Sequence, residues 1–175
     1  MTDEVLDEQT LKRFMGLAIE EAKKSLALIE VPVGAVVVCD GEVVSAAYNT
    51  RETDKNAVNH AELLAIAAAC KKLGGWRLHK CDLYVTLEPC PMCAGAIVNS
   101  RIKRVIFGAK DPKGGAFGSV IDLNAYPFNH KPQIISGVRE EECASMLSDF
   151  FRALREKNNY DKKIRKSALH KDDFA

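Results

Sequence analysis

Between Thr10 and Ile29 the positions Leu11, Phe14, Met15, Ala18, Ala22 and Leu26 fall three or four residues apart, with lysine and glutamate filling the intervals. That spacing gathers the apolar groups into one stripe of a 3.6-residue repeat and predicts a surface helix lying on something flat. The periodicity then changes. "VPVGAVVVCD" and "EVVSAAYN" are short β-branched runs separated by Asp40-Gly41, a dipeptide suited to the positive φ angles of a two-residue hairpin turn.

After the polar stretch Thr50 to Val58, a helix is expected from about His60 to "KKLGG", where Gly74 or Gly75 stops it. "CDLYVTLE" reads as a strand, "PCPMCAGAIVNS" as a helix opened by proline, and "RIKRVIFGA" as another strand. Strand, helix and strand with short connections imply parallel pairing through a right-handed crossover. "KDPKGGAFGS" is a Gly-rich loop, the stretch to His130 is irregular, "PQIISGV" supplies a fifth strand and "EEECASMLSDFFRALREK" a closing helix. The alternation predicts an α/β fold: a three-layer α/β/α sandwich in which a mixed five-stranded sheet is flanked by helices.

Composition adds boundaries. A chain of 175 residues, 47% hydrophobic and 28% charged, supplies one core. A single domain is expected over residues 1–157, followed by a basic C-terminal tail, 158–175. Apolar runs such as Val33–Val38 fall far short of the ~20 residues that cross a bilayer, and "MTDEVLDEQT" has neither the basic nor the apolar region of a signal peptide. The expectation is a cytoplasmic protein without membrane contact. Net charge is +1, but Asp3, Glu4, Asp7 and Glu8 make the start acidic, whereas Arg152, Arg155, Lys157, Lys162, Lys163, Arg165 and Lys166 crowd the end. Such a basic helix suits a polyanion; interrupted by Glu156 and Asp161, it suits a solvated face equally well.

Of six cysteines, Cys39, Cys70, Cys81 and Cys143 lie in or beside apolar periodic segments and read as small buried hydrophobes. Cys90 and Cys93 differ: they stand three apart at the start of a predicted helix, on one face of its first turn, where the helix dipole favours thiolates. A lone C-x-x-C fits a redox pair, half of a four-ligand zinc site or a coincidence of spacing. No second C-x-x-C follows, and a redox pair leaves Glu62 and Pro89 without a role. His60 as third ligand gives three protein ligands and an open fourth position, the arrangement of a catalytic zinc. Glu62, two residues on, then stands beside that position to take a proton from water and pass it to a ring nitrogen. The chemistry expected is hydrolytic deamination of an amidine-type carbon, with ammonia leaving. His60-x-Glu62 with Pro89-Cys90-x-x-Cys93 is the signature of the zinc nucleobase deaminases. The metal site alone does not choose between cytosine and adenine.

From Glu30–Val38 through "YNTRE", "NHAE", "LYVTLEPCPMCAGAIVNSRI", "VIFGAKDPKGG", "NHK" and "LSDFFR", the chain resembles the bacterial tRNA-specific adenosine deaminases, over roughly Leu11 to Arg155. The resemblance implies a cytidine-deaminase-like fold, a homodimer with one Zn²⁺ per subunit, and conversion of adenosine to inosine at the wobble position of an arginine tRNA anticodon. It implies His60, Cys90 and Cys93 as zinc ligands, Glu62 as proton shuttle, and Asn49 as the residue that hydrogen-bonds the flipped nucleotide. It also implies Asp111 and Lys113 as contacts to the anticodon loop, and Ala61, Asn129, Phe150 and Arg152 as further substrate or RNA-binding positions. Of Phe150 and Phe151, helical spacing sends one toward the core. His79 reads as structural and His130, in "NHK", as an RNA-side position. Phe117 departs from the smaller residue usual in the family, which bears on how the Gly-rich loop packs.

Two other readings compete. A deaminase of free guanine, cytosine or a nucleoside would share the zinc chemistry, and the basic C-terminal helix and "KDPKGG" loop argue against it. A zinc-stabilised RNA-binding module without turnover would have no use for Glu62. A dimer interface is expected on the apolar faces of the "AGAIVNS" helix and its neighbour.

Overall fold

The computed structural model describes residues 6–169. Its elements are α1 (Glu8–Ala27), β1 (Gly34–Cys39), β2 (Glu42–Tyr48), α2 (Ala61–Leu73), β3 (Cys81–Leu87), α3 (Pro91–Ser100), β4 (Arg104–Ala109), β5 (Gln133–Ser136) and α4 (Glu140–Leu169), with a single 3-10 turn at Leu123–Ala125. Local chemistry sets most boundaries. Asp7 caps α1 by accepting from the Thr10 N–H at 2.7 Å. Asp40 and Gly41, with φ of 49° and 79°, form the hairpin turn between β1 and β2. Gly74 ends α2 in the left-handed region, and Pro91 opens α3 at its first turn.

The sheet runs β2-β1-β3-β4-β5. β1 is antiparallel to both β2 and β3, whereas β3, β4 and β5 are parallel, so the sheet is mixed. One face packs against α1 and the start of α4 through Phe14, Met15, Tyr84, Ile106 and Cys143. The other packs against α2 and α3 through Ala65, Leu83, Val85, Ile97 and Phe107. These are the expected three layers. Cys81 and Cys143 are buried and Cys39 and Cys70 half-buried, in keeping with packing roles.

Two expectations are corrected. Leu26, placed on the buried stripe of α1, is exposed, and Ile19 and Ser25 are buried instead. The reason is close approach: α1 touches β1 along Ala18, Ala22 and Ser25, and the Ser25 hydroxyl donates to the Val33 carbonyl at 3.4 Å. The closing helix also does not stop at Lys157, where the tail was drawn; α4 continues to Leu169. Between Lys157 and Leu169 there is neither glycine nor proline to end it. Residues 170–175 of that tail lie outside the described part.

Gly34 is where helix and strand come closest. A Cβ there would fall inside van der Waals contact with the Ala18 carbonyl and the Ala22 nitrogen. Gly34→Ala is therefore expected to cost about 1–3 kcal/mol in urea unfolding, by the usual penalty for overpacking. A variant as stable as its parent would show that α1 moves off β1 without cost.

Candidate active site

The site forms where two helices begin. His60 is the N-cap of α2, with extended backbone angles of −78° and 148°, and its side chain makes no capping bond. Cys90 occupies the same place on α3, followed by Pro91, and Cys93 lies one turn into that helix. Backbone capping thus leaves all three side chains available to one another. His60 Nδ1 lies 3.6 Å from the Cys90 Sγ and 3.6 Å from the Cys93 Sγ. The three ligand atoms sit within 4.8 Å of one another and are the one such group among the described residues.

That geometry fits zinc. With Zn–S near 2.3 Å and Zn–N near 2.0 Å at a tetrahedral angle, nitrogen and sulfur should be about 3.5 Å apart. The donor set of one imidazole and two sulfurs is a zinc set, and three ligands leave the fourth position open. The Cys90 thiol is pulled down to about 4, chiefly by a hydrogen bond from Cys93, against the cost of burial and with help from His60. Cys93 is pushed up by the same contact with Cys90 and by burial. The sulfurs therefore favour a thiolate–thiol pair, and a divalent cation held by His60, Cys90 and Cys93 would take the place of the shared proton. His60 is raised, first through its hydrogen bond to Cys90.

Glu62 stands in the first turn of α2, buried and in contact with Cys93, but outside the three-ligand group. Burial pushes its carboxyl up. A carboxyl so placed takes up and releases a proton nearer neutral pH than an exposed one does.

Of the residues expected at the site, the cavity brings Asn49, Ala61 and Asp111 to the same wall as His60, Glu62 and Cys90. The other expected residues lie outside it. Lys113 is exposed, its backbone N–H donating to Asp111 Oδ1 at 2.9 Å. Asn129 is exposed and accepts from Arg101 Nη1 at 2.8 Å. Arg152 pairs with Asp149 at 2.7 Å on the surface of α4. The expectation of one core phenylalanine is corrected: Phe150 is half-buried and Phe151 exposed, their rings 5.3 Å apart edge to face. At that point α4 has passed Cys143 and Leu147, its contacts with the sheet-face core. The His130 Nε2 lies 2.7 Å from the Ile102 carbonyl, and His79 is exposed outside the cavity. Phe117 is buried in the core cluster over α2 and α3.

Two carboxylates were not singled out in the sequence. Glu30 is fully buried and accepts from Asn49 Nδ2 at 3.0 Å and from the Thr53 N–H at 2.5 Å, fixing the Asn49 amide. Glu88 lines the cavity and accepts from the Gly-rich loop. The signal available for both was an acid inside an apolar run, "LIEVPV" and "TLEPC".

A zinc-binding triad at two helix starts, a carboxylate beside its open position and an α/β/α sandwich define a zinc-dependent deaminase. Residues 8–109 match the cytidine and deoxycytidylate deaminase zinc-binding region, and the chain belongs to that family. Within it, the chain is 54% identical to the tRNA-specific adenosine deaminase of Bacillus subtilis (strain 168), over 86% of its own length and 94% of the relative's, and it belongs with the tRNA-specific adenosine deaminases. Its structure superposes with a TM-score of 0.75 on that of a protein solved in a study of A-to-I editing by tRNA:A34 deaminases, at 46% identity, covering 77% of this chain and 99% of that one. A guanine deaminase from Bacillus subtilis is more distant: 34% identity, a TM-score of 0.54, and coverage of 68% of this chain and 84% of that one.

Cys90→Ala is expected to lose zinc and thermal stability together, as metal analysis and a melting curve would show. A stable variant with a full equivalent of zinc would remove Cys90 from the ligand set.

Proposed function

We propose that the protein hydrolyses adenosine to inosine at the wobble position of a tRNA anticodon, with an arginine tRNA as substrate and a homodimer as the working unit. The observation that carries this reading is the placement of Glu62 beside the His60–Cys90–Cys93 triad in a cavity that also holds Asn49 and Asp111. When held by the triad, zinc supplies a Lewis acid that brings its water's pKa toward neutrality. Everything else falls to the protein's side chains. Glu62 accepts one proton from the attacking water and delivers it to the ring nitrogen next to the reacting carbon, then takes the remaining proton of the newly added hydroxyl and passes it to the amine, which leaves as ammonia. Burial raises its affinity for the proton it takes from water. Asn49, its amide fixed by Glu30, orients the nucleotide. Val31, Val33 and Leu87 give the cavity apolar walls that exclude bulk water.

A nucleotide within an anticodon loop suits this cavity energetically. An already unpaired base should cost only a few kcal/mol to extrude. Exposed cations of α4, Arg155 and Lys157 among them, are available to the RNA backbone. The likeness to a guanine deaminase supports turnover of a free base as the second reading.

An assay on an arginine-tRNA anticodon stem-loop, run beside free adenosine, cytidine and guanine and read by mass, separates the two. Inosine in the stem-loop alone is expected; turnover of a free base with the stem-loop untouched would keep the zinc chemistry and discard the RNA substrate. Glu62→Ala should retain its zinc while kcat falls by about 10²–10⁴-fold, the range for a lost general acid–base. Loss of the metal in that variant would make Glu62 a ligand rather than a proton carrier.

A further inference from the structure

We propose that Glu88 is a positioning residue for the substrate: its carboxylate latches the Asp111–Ser119 loop to the turn that carries Cys90, fixing the cavity wall before RNA arrives. The proposal rests on the reading above that this loop faces the RNA.

Glu88 is 2% exposed, and both its oxygens are spent on that one loop. Oε1 accepts from the Phe117 N–H at 3.0 Å and the Ser119 N–H at 3.1 Å. Oε2 accepts from the Asp111 N–H at 3.1 Å and from the Ser119 hydroxyl. The backbone completes the latch, with the Glu88 N–H donating to the Ala109 carbonyl at 2.8 Å and the Ala116 N–H to the Pro89 carbonyl at 2.9 Å. Gly115 is part of the same fit, because a Cβ there would drive into the Glu88 carboxylate.

The choice of side chain is informative. A carboxylate is acceptor-only, so it can serve four donors at once. Glutamine cannot: its amide nitrogen would face a donor at one of the two positions. Burying a charge costs several kcal/mol unless its hydrogen bonds are complete, and here they are.

The latch acts on the substrate through Asp111. Its N–H is bound by Glu88 while its carboxylate accepts from the Lys113 N–H, so the loop residues at the cavity rim are anchored at their base. Glu88 precedes Cys90 by two residues, and the metal turn and the loop therefore move as one body.

Glu88→Gln tests this on the full-length zinc protein. Expected are unchanged zinc content, loss of hydrogen-exchange protection at the Asp111, Phe117 and Ser119 amides, and a KM raised roughly tenfold with kcat within about threefold. Gly115→Ala displaces the same carboxylate from the loop side and should reproduce the split, which keeps the test alive if the glutamine variant does not fold. Unchanged protection would overturn the latch. Lost protection with an unchanged KM, or a fall in zinc content, would overturn its role in positioning substrate. KM is measured on whichever substrate the parent turns over, so a parent inactive on the stem-loop counts against the RNA reading alone.

Discussion

The structure depends on two helix N-termini aimed at one point. His60 and Cys90 are both N-caps, and the sheet brings α2 and α3 together on one face so that a nitrogen and two sulfurs converge within metal-binding distance. The positive ends of both helix dipoles favour the anionic sulfurs that a cation requires. The arrangement also follows the general preference of α/β sheets to bind ligands beyond the carboxyl ends of parallel strands, here beyond Leu87 of β3 and Ala109 of β4. Small residues in the layers behind, such as Ala61, Ala65 and Ala94, let the two helices press against the sheet closely enough to hold this geometry.

Around that point lie three buried carboxylates, and their surroundings assign them different work. Glu30 is tied to Asn49 and Thr53, and Glu88 to three backbone N–H groups and a hydroxyl. Both are acceptors that shape backbone and amide groups. Glu62 instead has its carboxyl pushed up by burial, and it touches a metal-ligand sulfur. The same residue type thus holds structure at Glu30 and Glu88 and, on the proposed reading, carries protons at Glu62.

This division explains what could be read from the chain. The hairpin at Asp40-Gly41, the stop at Gly74 and the start at Pro91 are local signals, and the structure keeps all three. The zinc residues were legible because metal geometry restricts type and spacing. Glu30 and Glu88 were not, because their meaning comes from donors 19 to 31 residues away, brought into reach only by the fold. The full extent of α4 was also hidden. Beyond Lys157 its sequence is mostly polar, with no apolar stripe to announce a helix. The buried stripe of α1 shifted for a related reason: Ser25, and not Leu26, turns inward to the Val33 carbonyl, a preference for close approach that hydropathy does not encode.

Selectivity has to reside in the wall, since hydroxide attack at an amidine carbon is common to adenine, guanine and cytosine. The wall is assembled from the strand end at Val31 and Val33, from Asn49 behind its Glu30 brace, and from the Asp111 loop. The zinc triad comes from α2 and α3. On the proposed reading, substrate range could therefore change through Asn49 or the loop while the metal stayed in place. Glu88 limits that freedom. Because it joins the loop to the turn that carries Cys90, any new loop must still present its backbone donors to the same carboxylate, and the metal turn constrains how far the wall can be redrawn.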